Sequence, residues 1–228
     1  MKSIICLAAT ALICSSCFHV NSNWTGGKNA IKGEGEVITK SFDLKDFDQI
    51  VLNGHADVTF IQSETFDVTV RSQANVFDHL DYRVEGTKLI LENKNKVTIR
   101  AEEFAVNIQA PALKSITVNG AGDLNIEGGL NSDEDFKVTV NGAGDLSFEA
   151  IRCKDLSIEV NGAADIDLTS IAVNDLRIEV NGAGDVTATG KAENASLRVN
   201  GAGDIDARGL TVAGKVNKSA SGLAKIQL

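Results

Sequence analysis

Basic charge is scarce in this chain: 22 Lys and Arg stand against 31 Asp and Glu, for a formal net charge of −9. That deficit argues against nucleic acid, which needs a basic footprint, and against docking of the domain itself on an anionic membrane surface. Aromatics are few, with one Trp and one Tyr, which disfavours a stacking platform for sugars. Three histidines, His19, His55 and His79, are too scattered for a zinc site, which needs three or four convergent ligands. The single proline, Pro111, has no N–H to give a ladder and is expected at a strand edge or corner. No P-loop, no Gly-x-Gly-x-x-Gly after a strand and no Gly-x-Ser-x-Gly elbow is present.

The one long apolar run is also too short to cross a bilayer. Lys2 is followed by an apolar stretch from Ile4 to Ile13, which reads as a signal peptide over residues 1–16. The run ends at Cys14-Ser15-Ser16-Cys17, which resembles the lipobox of bacterial lipoproteins and makes Cys17 the expected lipidation site. Cys14 stands where that motif usually has an aliphatic residue; ordinary cleavage after Ser16, giving a soluble secreted protein, is the other reading. Cleavage removes Lys2 and no acid, leaving a charge of about −10. Only Cys17 and Cys153 survive it, so an acylated Cys17 leaves Cys153 without a partner, and no disulfide framework is expected. Residues 17–33, polar and holding Gly26-Gly27 and Trp24, read as a lipid-anchored tether.

What is abundant is one phrase. Asn-Gly-Ala-Gly-Asp begins at Asn119, Asn141, Asn181 and Asn200, and Asn-Gly-Ala-Ala-Asp begins at Asn161, at spacings of 22, 20, 20 and 19 residues. A worn copy, Asn-Gly-His-Ala-Asp, begins at Asn53, and a degraded lap, with Lys225 in place of the Asp, falls 21 residues after Asn200. A fixed period near 20 marks a repeat architecture. Apolar residues alternate with polar ones on both sides of the phrase: Val138 and Val140 lead in, Leu146 and Phe148 lead out, and the other copies match. Thr117, Thr139, Ser157, Glu159, Arg177, Glu179 and Arg198 fall on the opposite, solvent phase. Two short strands and two turns make one lap of a parallel coil, with neighbouring laps about 4.8 Å apart. The expected fold is all-β: a right-handed parallel β-helix, or β-solenoid, with coils of about 20 residues. Residues 34–228 form its single domain, diverged over 34–113 and regular over 114–228. The diverged part reads as earlier coils or as plain β-strands; the 66 residues from Asn53 to Asn119 are close to three periods. Asn75 to Leu80 reads as one helical turn capped by Asn75.

The phrase has a mechanical reading. Gly120, Gly142, Gly162, Gly182 and Gly201 permit a sharp corner. Asn119, Asn141, Asn161, Asn181 and Asn200 are placed to form an amide ladder, and Asp123, Asp145, Asp165, Asp185 and Asp204 to cap turn N–H groups.

These repeats, with Phe47-Asp48-Gln49-Ile50, Gly54, Val58 and Pro111-Ala112-Leu113, resemble the head GIN domain family, described as auto-transporter adhesins and common in gut-type Gram-negative bacteria. The resemblance covers roughly residues 34–228. It implies a pectin-lyase-like right-handed β-helix with no assigned catalytic residues, and an adhesive role.

The Asp row allows two chemical readings besides capping. Carboxylates near 5 Å suggest a glycosidase pair, but every lap repeats the same Asp, whereas an active site breaks repetition. Such a row could also hold Ca²⁺. We expect structural turn residues, with no catalytic group, no metal and no cofactor. The leading functional expectation is a non-enzymatic outer-membrane lipoprotein that binds a protein or glycan. The alternatives are a periplasm-facing structural or stress-related lipoprotein and, last, a polysaccharide-acting β-helix enzyme. Partners expected are the membrane, through the anchor, and a second copy, through an exposed end or edge.

Overall fold

The computed structural model describes residues 30–228. The signal peptide, Cys17 and the tether as far as residue 29 lie outside the described residues. What is described is all-β. The strands are β1 (Ala30–Lys32), β2 (Val37–Phe42), β3 (Gln49–His55), β4 (Asp57–Gln62), β5 (Asp67–Gln73), β6 (Leu80–Glu85), β7 (Lys88–Asn93), β8 (Thr98–Arg100), β9 (Phe104–Ala110), β10 (Ser115–Ala121), β11 (Leu124–Glu127), β12 (Leu130–Asn131), β13 (Phe136–Glu149), β14 (Ile151–Arg152), β15 (Asp155–Ala183), β16 (Val186–Val212) and β17 (Val216–Gln227). Within the stretch read as tether, β1 already pairs in parallel with β8.

Period-2 alternation decides how the repeats pack. Strands β10, β13, β15, β16 and β17 pair in parallel, each copy of the phrase in register with the next. Val118 lies beside Val140, Val140 beside Val160, and Val180 beside Val199. Each apolar column is thus buried: Val138, Val140, Phe148, Ile158, Val160, Ile178, Val180, Val199 and Ile205 are all 0 % exposed. One hydrophobic cluster runs from Phe47 to Leu210. Phe136 and Phe148 meet within it edge to face, ring centroids 6.3 Å apart, so the two aromatics of the regular repeats are core. Thr117, Thr139, Ser157, Glu159, Arg177, Glu179 and Arg198 are all at least partly exposed.

The phrase is less of a corner than expected, because pairing runs into it or through it. In β13 and β15 the partners continue from Ala143↔Ala163 through Asp145↔Asp165 to Glu149↔Thr169. Glycine is required by neighbours as much as by conformation. A Cβ on Gly120 would lie 2.0 Å from the Gly54 carbonyl oxygen, and one on Gly142 only 1.8 Å from that of Gly120.

The N-terminal part departs from a run of earlier coils. The 66 residues between Asn53 and Asn119 are a single step of the ladder, since β10 pairs directly with β3, Asn119 beside Asn53. The intervening chain forms another parallel layer beyond β3 and β4, with β7 on β3 and β9 on β4. That layer is then closed by antiparallel strands, β6 on β7, β5 on β9 and β2 on β5. The helical turn is a 3-10 segment, Ala74–His79, without a side-chain cap. Asn75 is instead drawn to the β1–β2 connection: its Oδ1 accepts from Glu34 N at 2.7 Å and its Nδ2 donates to Lys32 O at 2.8 Å. Pro111 sits exposed in the bend before β10, its carbonyl accepting from Gln62 Nε2.

Candidate functional site

The phrase forms two polar files along the ladder. In the first, each Asn donates to the Asn one rung back: Asn119 to Asn53 (2.9 Å), Asn141 to Asn119 (2.9 Å), Asn161 to Asn141 (3.1 Å), Asn181 to Asn161 (3.1 Å) and Asn200 to Asn181 (2.9 Å). Ser221 Oγ closes the file on Asn200 Oδ1 at 3.1 Å. Every Nδ2 points the same way, so neighbouring amides polarise one another.

In the second file the carboxylates accept backbone N–H groups of the next rung. Asp123 accepts from Asp145 N (3.1 Å), Asp165 from Asp185 N (2.9 Å), Asp185 from Asp204 N (2.8 Å) and Asp204 from Lys225 N (2.9 Å). All five Asp side chains are exposed, so water and these N–H groups offset the repulsion between like charges stacked about 4.8 Å apart. A shallow hollow of about 260 Å³ lies between Asp145, Asp165, Ala163 and Ala183. Among the described residues no group of three or more His, Cys, Asp or Glu side chains is arranged to hold a metal ion.

Glycine follows each of the six file Asn residues, and also Ser221 at the last rung: Gly54, Gly120, Gly142, Gly162, Gly182, Gly201 and Gly222 share one column. The position before the Asp takes alanine in three rungs, Ala56, Ala164 and Ala224. The first column is therefore the stricter one.

Elsewhere the surface is shaped by departures from the repeat. One hollow, about 710 Å³, is lined by Arg152, Lys154, Ala172, Lys191 and Glu193 among others, with Cys153 in its wall. Burial pushes the Cys153 thiol up to about 11; its Sγ lies 3.5 Å from Asp155 O. Such a thiol holds little thiolate at neutral pH and is a poor nucleophile.

A second hollow, about 480 Å³, opens at the worn phrase and is lined by Asn53, Gly54, His55, Glu92, Asn93 and Lys96. Here the layer above lacks a rung over residues 54–56: Asn53 pairs with Glu92 and Asp57 with Ala105, while the chain between them swings out to place β8 against β1. Asn95 and Lys96 turn the chain there with φ of 54° and 52°, a region that non-glycine residues enter rarely. Sequence reading alone passes over this gap. Its one signal is the replacement of Ala by His55 and of Gly by Ala56 within the phrase.

The outer faces carry rows of exposed or half-buried polar and charged side chains. One carries Thr117, Thr139, Glu159, Glu179 and Arg198, with Lys137 3.7 Å from Glu159 and Arg177 paired to Glu179. The other presents Glu127, Glu149 and Asp167 beside the Asp file.

The fold matches solved structures across most of its length. A putative adhesin from Bacteroides fragilis NCTC 9343 aligns with TM-score 0.70 at 20% identity, over 86% of this chain and 99% of that one. A putative lipid binding protein from Parabacteroides distasonis ATCC 8503 aligns with TM-score 0.77 at 19% identity, over 87% and 99%. A putative adhesin from the same organism aligns with TM-score 0.76 at 23% identity, over 86% and 84%. At these identities the likeness is one of fold. No curated protein matches the chain. The model of one family does match it, over residues 46–228, and the chain belongs to that family: putative auto-transporter adhesin, head GIN domain.

Proposed function

We propose that this protein is an exported lipoprotein of the Gram-negative outer membrane, acylated at Cys17, whose single domain over residues 34–228 binds a protein or glycan without catalytic turnover. In this reading the repeats wind as a right-handed parallel β-helix. The in-register parallel pairing at steps of 19 to 22 residues supports that, as does the strong right-handed preference of parallel crossovers.

The observation that carries the binding role is the form of the surface. Repetition builds long files of exposed polar and charged side chains over a buried core. Such files suit an extended partner better than a small substrate. Family membership supports adhesion as the purpose. The Asn and Asp files then act as structural members that tie one rung to the next.

A second reading, a periplasm-facing envelope lipoprotein, is favoured by the residues after Cys17. Phe18 to Asn23 contains no acid, whereas surface export of lipoproteins in some lineages uses an acidic run there. Protease shaving of intact cells separates the two. Cleavage with the outer membrane intact supports surface adhesion and directs glycan and matrix-protein screens. Cleavage only after the membrane is opened overturns adhesion to a host and moves the search to periplasmic partners.

A further inference from the structure

We propose that the hollow beneath the worn phrase binds the free C-terminal end of a peptide, with its carboxylate between Lys96 and Asn53 and its backbone along the rung edge at His55. The site is separate from the outer faces assigned above to an extended partner, and neither stands or falls with the other. Pairing beneath β3 and β4 stops at Asn53↔Glu92 and resumes at Asp57↔Ala105. Two hollows open there, of about 480 and 600 Å³, and both have His55 and Ile99 in their walls. Each has the size of a small-ligand site. The uncovered edge from Asn53 to Asp57 is at most about 13 Å long, the reach of roughly three extended residues.

Three polar groups are left over at this edge. The amide file runs down to Asn53, whose Oδ1 accepts from Asn119 at 2.9 Å. Its Nδ2, at the foot of the file, donates to nothing among the described residues. Asn93 is 9% exposed and donates from Nδ2 to Val97 O at 3.2 Å. Its Oδ1 accepts from nothing among the described residues, and Asn93 lines the hollow. The third group is the His55 carbonyl. In the rungs above, Ala143 O accepts from Gly122 N at 3.2 Å and Ala202 O from Gly184 N at 3.3 Å, each from the rung beneath. His55 stands in that column, beside Ala121. Its carbonyl turns the same way, over the hollow, where no strand is paired with it. Such an edge takes up the N–H groups of an added extended segment.

Charge selects a carboxylate. Residues 93–101 hold Lys94, Lys96 and Arg100 and no acid, in a chain of net charge −9. Lys94 is turned to Asp78 O at 2.9 Å. Lys96 lines the hollow and makes no ion pair among the described residues. Glu92, also in the wall, is held by Arg83 at 3.1 Å. Asn95 and Lys96 keep left-handed φ values without being glycine, a strain that gathers at ligand clamps. A carboxylate here meets an ammonium and an amide N–H, and the peptide N–H next to it meets the His55 carbonyl. Any peptide end supplies both groups. Among the described residues no aromatic ring lines the smaller hollow to stack on a sugar.

The test is a titration of the isotope-labelled protein followed by amide NMR shifts. The probes are N-acetyl-alanyl-alanine as the free acid, the same dipeptide as its C-terminal amide, and glucuronate. The free acid should move the signals of His55, Asn93 and Lys96 and saturate near about 1 mM. The amide should bind about tenfold more weakly. Asn53→Asp keeps an oxygen for Asn119 but sets a negative charge against the ligand, and Lys96→Gly suits the left-handed backbone but removes the ammonium. Each should weaken binding of the acid about tenfold, with signals elsewhere unmoved to show that the fold is kept. No saturation by about 10 mM, equal affinity for acid and amide, or undiminished binding by both variants overturns the proposal. Glucuronate bound as tightly as the dipeptide acid assigns the hollow to sugar acids and also overturns it.

Discussion

Replacing Gly201 with alanine and, separately, Gly203 with alanine should cost very different amounts, although both are glycines of one phrase. A Cβ on Gly201 would lie 2.0 Å from the Gly182 carbonyl oxygen, and one on Gly203 would lie 2.2 Å from that of Gly184. Their φ values, 150° and 155°, are also alike. The columns differ in precedent. Ala164 already lies over Gly144 with pairing intact, at a backbone without positive φ, and Gly203→Ala recreates that relation over Gly184. Adopting it gives up about one hydrogen bond, from Asp204 N to Asp185, and costs about 1–2 kcal/mol. The Gly201 column holds no alanine in any rung. Backbone strain there costs about 1–3 kcal/mol. Moving the rung away would also sacrifice the flanking Asn200–Asn181 and Ser221–Asn200 bonds, at about 1 kcal/mol each. Gly201→Ala should therefore lose about 3–5 kcal/mol, a large part of a domain's stability. Urea unfolding reads both losses, provided the slope m is unchanged. Equal losses, or a greater one for Gly203→Ala, would refute the idea that rung spacing is fixed beside the Asn file and adjustable beside the Asp file.

Asn161→Ala removes a donor and an acceptor from the middle of the amide file and should cost about 1–2 kcal/mol in the same assay; no loss would mean that water replaces the file freely. Phe148→Ala, in the closed core, should cost about 3–5 kcal/mol. Added Ca²⁺ should leave the melting temperature unchanged, because four of the five carboxylates already accept an N–H group of the next rung and no group of three or more metal-binding side chains converges among the described residues; a rise reversed by chelator would show otherwise. Cys153 should react with iodoacetamide slowly at neutral pH, faster as pH climbs toward about 11, and at the rate of a free thiol after unfolding. The one tyrosine, Tyr82, has its pKa raised by burial. The unfolded chain releases that proton first, so its contribution to stability should be lost as pH rises above about 10, with phenolate absorbance appearing together with unfolding.

Much of the regular half is legible from the residues. Alternation around each phrase names the buried columns, and the Asn and Asp positions fall in files because the period equals one step of pairing. Alternation does not say whether strands run together or opposed, so the antiparallel closure by β2, β5 and β6 is silent in the sequence. The 66-residue gap misleads for a related reason: spacing counts residues along the chain, whereas β7 and β9 occupy a layer on the far side of β3 and β4. Asn75 has the residue type of a helix cap, but a nearby backbone competes for its side chain. At the worn phrase the irregularity is visible, yet the missing rung depends on where β8 finds its partner.

The sameness of the columns has a kinetic consequence. A strand that must find Val160 beside Val180 meets almost the same surface at Val140 or Val199, so a slip by one whole repeat keeps core, amide file and carboxylate file nearly intact. Only the uneven steps, the Phe136–Phe148 pair, Ala164 and the two differing ends tell one register from another. Refolding should therefore divide between a fast population that nucleates beside the irregular N-terminal layers and a slow one that must unzip and shift. The slow fraction should shrink when one interior repeat is made distinct from its neighbours.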